Sequence, residues 1–259
     1  MRTPLVLLSI VAVLCSGCGI RGSGVAADEL REPGPFEGVV NETSIDVEIE
    51  AREGAASSVR VECDDNLLEH IETRVEGDRL VVTQPPGSWV QPRVRCRVVV
   101  VADSIRDAEV AGSGDVLVWS DSAVTGLGAL RVAGSGGLHL RGAALADELA
   151  LSIVGSGDLV VDRVEARHVT ATLGGSGSMV VSDGQSETVD VSIEGSGDVD
   201  LSSMSALEVD AGVFGSGSAH VRCTDRIAAR VDGSGDVVVY GDPLSRDERR
   251  DGSGSIVYR

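Results

Sequence analysis

The triplet Gly-Ser-Gly occurs eight times from residue 112 onward, starting at Gly112, Gly134, Gly155, Gly175, Gly195, Gly215, Gly233 and Gly252, with spacings of 22, 21, 20, 20, 20, 18 and 19 residues. Self-similarity at such a period means one supersecondary unit stacked on copies of itself, each burying an apolar face against its neighbours. Registering the units on the triplet shows how. Two residues after its last glycine stand Val116, Leu138, Leu159, Met179, Val199, Ala219, Val237 and Ile256. Four after it stand Val118, Leu140, Val161, Val181, Leu201, Val221, Val239 and Tyr258. Two before its first glycine the residues are Val110, Val132, Ile153, Leu173, Ile193, Val213 and Val231. Four before it they are Ala108, Leu130, Leu151, Ala171, Val191, Ala211 and Ala229. Apolar residues thus alternate with period two on both sides of a glycine corner, which predicts a strand, a corner and a second strand in each unit. Stacked units place these residues in inward ladders about 4.8 Å apart. The expected fold is all-β: a β-helix or β-solenoid with repeats of about 20 residues.

Composition agrees. Aromatics make up only 2% of the 259 residues while glycine reaches 33, so Val, Ala, Ile and Leu must fill the interior, as suits closely approaching strands. All 22 basic residues are Arg, and the net charge is −19. Such an excess of negative charge argues against unaided binding to nucleic acid or to an anionic membrane surface.

The N-terminus reads as a targeting segment. Arg2 is a short positive region, and residues 5–14 form an apolar stretch too short to span a bilayer. It runs into Leu14-Cys15-Ser16-Gly17-Cys18, which resembles a bacterial lipobox with Cys18 as the acylated first residue, although Cys15 occupies a position usually held by Leu. Residues 1–17 are then a signal peptide and 18–33, rich in Gly, Ser and charge, a lipidated flexible tether. The alternative is a plain signal peptide with the same export. The expected location is the bacterial cell envelope, lipid-anchored at the outer membrane, on its periplasmic or surface face. Export allows one disulfide among the remaining cysteines. Cys63 with Cys96 is the expected pair, since both fall on strands of one region, and three separate buried thiols are the alternative.

Residues 34–102 lack the triplet but contain short apolar or alternating strands, and are expected to cap the solenoid formed by residues 103–259. Here the residues carry a resemblance. Glu32-Pro33-Gly34-Pro35-Phe36-Glu37-Gly38-Val39, Asp65-Asn66-Leu67-Leu68 and Gly77-Asp78-Arg79-Leu80-Val81-Val82, followed by Gly-Ser-Gly-Asp repeats and the ending Gly235-Asp236-Val237-Val238-Val239-Tyr240-Gly241-Asp242-Pro243, resemble the auto-transporter adhesin, head GIN domain family. The resemblance implies a β-helix-like domain of the cell envelope with an adhesin role. It supplies no catalytic or ligand residues to transfer.

No constellation of catalytic residues stands out. His70, His139, His168 and His220 show no metal-binding spacing, and no Gly-x-Ser-x-Gly elbow joins a strand to a helix. No cofactor motif is present, and no metal site is assigned. Calcium is the nearest alternative, because Asp follows every second triplet: Asp115, Gly137, Asp158, Ser178, Asp198, Ser218, Asp236 and Ser255. With one unit per coil these carboxylates lie about 10 Å apart and scarcely repel. With two units per coil they would stack at about 4.8 Å and call for a cation. The first arrangement is expected.

In the strand after each triplet the third residue points outward. That position reads Leu117, His139, Val160, Val180, Asp200, His220, Val238 and Val257. Leu117, Val160, Val180 and Val238 therefore form an expected partner-binding face. Glu109, Arg131, Ser152, Thr172, Ser192, Gly212 and Arg230, in the strand before the triplet, read as a solvated face. The function expected is a non-catalytic, adhesin-like or structural binding module held at the membrane by a lipid. Its partner would be an unknown protein or glycan, or a second copy through self-association. The alternatives are a carbohydrate-active β-helix enzyme and a scaffold for another envelope protein.

Overall fold

The computed structural model describes residues 19–259, which form a parallel β-solenoid with an antiparallel cap at its N-terminal end. The signal-peptide segment and Cys18 lie outside the described residues. One repeat makes one coil. Leu138–Gly155 pairs in parallel with Leu159–Gly175, which pairs in turn with Ser178–Val181 and Gly184–Gly195. Ser178 lies directly beside Asp198, so carboxylates in alternate coils stand two strand spacings apart, about 10 Å.

Each coil has three paired runs. Residues 138–140 lie on 159–161, 143–146 on 163–166, and 148–155 on 168–175. The first run after the triplet and the last run before it are the two that the alternation predicts. Their inward positions, from Val116 and Val118 to Val237 and Val239, and from Ala108 and Val110 to Ala229 and Val231, are buried. The middle run was not expected. It contributes the buried Val124, Ala144, Val164, Met204 and Cys223 to the same core. Irregular pairing between Leu201 and Ser205, and again between Ala206 and Glu208, together absorbs the two residues missing from the shorter coil that follows.

The glycine corners are as narrow as the pattern implies. A Cβ on Gly195 would lie 2.3 Å from the Gly175 carbonyl oxygen, and one on Gly197 would lie 2.2 Å from that of Gly177. Gly195 also has φ of 143°, where only glycine is at ease. The first coil manages its corner without the triplet. Residues 43–45 occupy that place, and the buried Asn41 side chain donates to the Ile45 carbonyl at 2.8 Å while accepting from the Thr43 N–H and hydroxyl.

That first coil sits out of sequence order. Gly38–Asn41 and Asp46–Ala51 pair on one side with Asp107–Val110 and Val116–Trp119, and on the other with Arg79–Thr83 and Arg97–Ala102. The solenoid therefore begins before residue 103. The cap beneath it consists of Ser58–Asp64 and Glu72–Glu76, antiparallel to their neighbours, with Leu67 and Ile71 closing the core.

The expected flexible tether over residues 18–33 is corrected for much of its length. Ala26–Arg31 forms an antiparallel strand on residues 59–64, and Ile20–Arg21 pairs with Val90–Gln91. The buried Asp64 explains the docking. Its carboxylate accepts from the N–H groups of Gly24 at 2.6 Å, Arg93 at 2.8 Å and Val94 at 3.2 Å. Burial alone would raise its pKa, but these bonds outweigh burial and hold it below the usual carboxylate value. Gly22 packs against the same carboxylate, where a Cβ would come within 2.4 Å.

Candidate functional site

The outer surface of the first run carries the expected partner-binding ladder. Pairing places Leu117 beside His139, then Val160, Val180, Asp200, His220, Val238 and Val257 in one row. Leu117, Val160 and Val180 are half-buried by their neighbours, whereas Val238 is only 7% exposed and offers little surface to a partner. His139 is engaged as well: its Nε2 lies 2.8 Å from Asp162, which also accepts from the Gly142 N–H. Burial raises the Asp162 pKa, but the His139 and Gly142 bonds prevail and lower it.

The Asp residues after alternate triplets have a structural partner. The Ser178 N–H donates to Asp158 Oδ1 at 3.1 Å, that of Ser218 to Asp198 at 2.9 Å, and that of Ser255 to Asp236 at 2.9 Å. Gly137 does the same for Asp115 at 2.7 Å. Each carboxylate thus holds the backbone of the next coil at the corner, and the residue receiving it is Ser or Gly. Alternation follows directly from this, because two adjacent Asp would repel. Among the described residues, the group with metal-compatible spacing is Cys63, Asp64 and Cys96. There the two sulfurs are joined as a disulfide, with Cα atoms 4.2 Å apart, from Cys63 on the strand Ser58–Asp64 to Cys96 just ahead of its antiparallel neighbour Arg97–Ala102. Cys223 is a buried free thiol whose pKa burial pushes up.

The third run, read from sequence as a solvated face, carries a cleft of about 450 Å³. Its floor is a grid set by coil pairing. Thr170, Asp190 and Asp210 form one row, and Thr172, Ser192, Gly212 and Arg230 the next. Phe214 makes the wall. Its ring lies over Gly212, where a Cβ would meet ring carbon Cε2 at 2.8 Å, and the Arg230 guanidinium stacks 5.2 Å from the ring centroid. A smaller depression of about 200 Å³ adjoins it through Asp190 and Asp210, and extends to Glu208 and Arg226. The sequence reading places Thr172, Ser192, Gly212 and Arg230 on a solvated face and does not single out Asp190, Asp210 or Phe214. The available signals were an aromatic in a chain nearly devoid of them, and a glycine in an outward row otherwise polar.

The structure is thus a regular parallel β-solenoid with a partly aliphatic outer row on one face and a polar cleft on another. The chain belongs to the family described as "Putative auto-transporter adhesin, head GIN domain", whose model matches residues 35–243. Solved structures share the fold. A "putative lipid binding protein" from Parabacteroides distasonis ATCC 8503 is 24% identical with a TM-score of 0.85, over 93% of this chain and 99% of that one. A "putative adhesin" from Parabacteroides merdae ATCC 43184 is 19% identical with a TM-score of 0.84, over 93% and 99%. Another from Bacteroides fragilis NCTC 9343 is 17% identical with a TM-score of 0.64, over 93% and 100%. No curated protein matches the chain.

Proposed function

We propose that this protein is an exported lipoprotein of the bacterial cell envelope, anchored through Cys18, whose solenoid is a non-catalytic binding head. One observation carries the reading: the row Leu117, Val160 and Val180 stays half-exposed on the outside of a sheet whose inner side already holds the core. Aliphatic side chains aligned across coils on an outer face suit a covering partner, which is either another envelope molecule or a second copy of the chain. Docking of residues 20–31 onto the cap leaves a short link between Cys18 and the folded head, so the head would stand close to the membrane. Membership of an adhesin-named family and likeness to solved putative adhesins support a binding role.

The test replaces Val160 and Val180 together with Asp. The double variant should keep its melting temperature and lose self-association or capture of envelope extract. A charge-matched pair, Ser104→Asp with Ser152→Asp, should behave as wild type. Equal behaviour of the two pairs would remove the ladder from consideration. For the anchor, Cys18→Ala should abolish incorporation of labelled palmitate and leave the precursor uncleaved; a labelled variant would exclude Cys18.

A further inference from the structure

We infer that the cleft on the third face is a saccharide site that takes an uncharged oligosaccharide. The repeat itself provides the control. At the outward position occupied by Gly212 other coils carry Glu109, Arg131, Ser152, Thr172, Ser192 and Arg230. The backbone at Gly212 has no positive φ that would call for glycine. A side chain there would meet the Phe214 ring as it lies, so Gly212 leaves the space in which the ring seats. Phe214 is the one aromatic at its own register, where other coils place Ala133, Val154, Gly174, Glu194 and Asp232. The two departures occur together, and they seat an aromatic ring, 37% exposed, beside a polar floor.

That combination matches a sugar ring, which has an apolar face of C–H groups and an edge of hydroxyls. The part of the Phe214 ring left open beside Gly212 and Arg230 offers a surface for the C–H face. Carboxylates at Asp190 and Asp210 accept from neighbouring hydroxyls, the Thr172 and Ser192 hydroxyls both donate and accept, and Arg230 donates. Asp190 and Asp210 are directly paired on adjacent coils, an arrangement that disfavours the fold through like-charge repulsion. His168 Nε2 approaches Asp190 at 3.6 Å, and among the described residues Asp210 has no ion-pair partner. Hydroxyl donors bridging the two carboxylates would relieve that repulsion. The same charges, on a chain of net charge −19, turn away anionic glycans. Because the cleft runs across coils into the depression at Glu208 and Arg226, the ligand it fits is a short chain of sugars. This site is separate from the aliphatic row on the first face.

Calorimetric titration of the purified chain in EDTA, with maltohexaose, cellohexaose, chitohexaose and a sialic acid oligomer, tests the inference. At least one neutral hexaose should bind saturably. Phe214→Ala, at unchanged melting temperature, and Asp190→Asn with Asp210→Asn, at an unchanged or raised one, should each weaken binding by about tenfold or more. Phe214→Tyr, which keeps the ring, should retain binding, as should the Val160→Asp, Val180→Asp variant. The inference is overturned if none of the three neutral sugars binds by about 10 mM. It is equally overturned if the Phe214 and Asp variants bind as wild type, if binding appears only with added calcium, or if the sialic acid oligomer binds best.

Discussion

At the scale of single residues, both glycines of a central triplet press on a carbonyl of the coil below, Gly195 on Gly175 and Gly197 on Gly177, and Gly195 also adopts a backbone angle that side chains avoid. Gly197→Ala forces two coils apart and should cost about 2 kcal/mol or more in denaturant unfolding. Gly128→Ala is the comparison, since its nearest contact, the Arg106 carbonyl oxygen at 3.6 Å, is ordinary packing; its cost should stay within about 0.5 kcal/mol. Equal losses would mean that close approach at the corner contributes nothing. Asn41 and Thr43 show the other way to turn the same corner, with side-chain hydrogen bonds in place of missing side chains. No motif announces that solution, because it depends on three residues closing on one another rather than on a recurring one.

Among elements, the first and third runs of each coil were legible because each holds two inward positions in strict alternation, repeated down the stack. The middle run was not legible. Its inward column reads Val124, Ala144, Val164, Gly184 and Met204, broken by a glycine, and the run takes up the variation in coil length. The cleft was hidden for a further reason. Asp190 and Asp210 are 20 residues apart in sequence and meet only through coil pairing, and the seat of Phe214 depends on how its ring lies. The corner Asp residues were visible as a pattern, but their partners, backbone N–H groups one coil on, were not. If those bonds are their role, Asp158→Ala with Asp198→Ala should lose about 0.5–1.5 kcal/mol per site. Millimolar calcium should then leave the wild-type melting temperature nearly unchanged, since only a ligand that prefers the native state stabilises it. A rise of many degrees that the double variant abolishes would restore a metal role to these corners.

Taken as a whole molecule, a solenoid has two ends, and each must be kept from stacking on another copy. The C-terminal coil does so with charge. Arg246, Glu248 and Arg250 stand where the preceding coil has the buried Ile227, Ala229 and Val231, while Arg246 stacks 4.0 Å from the Tyr258 ring centroid. Burial, together with the nearby Glu248, pushes the Tyr258 pKa to about 12. Restoring Ile, Ala and Val at residues 246, 248 and 250 should produce concentration-dependent association in sedimentation velocity; a monomer at every concentration would show that the charges do not guard this end. The N-terminal end uses topology instead. A load applied through the N-terminus would meet Ile20–Arg21 and then Ala26–Arg31, each held by one neighbouring strand. Past them lies Gly38–Asn41, clamped by strands on both sides that come later in the chain. Unravelling from that end cannot proceed one ladder at a time, because the step that follows must tear two at once. The head is therefore built to yield a short length of chain under tension and then to hold.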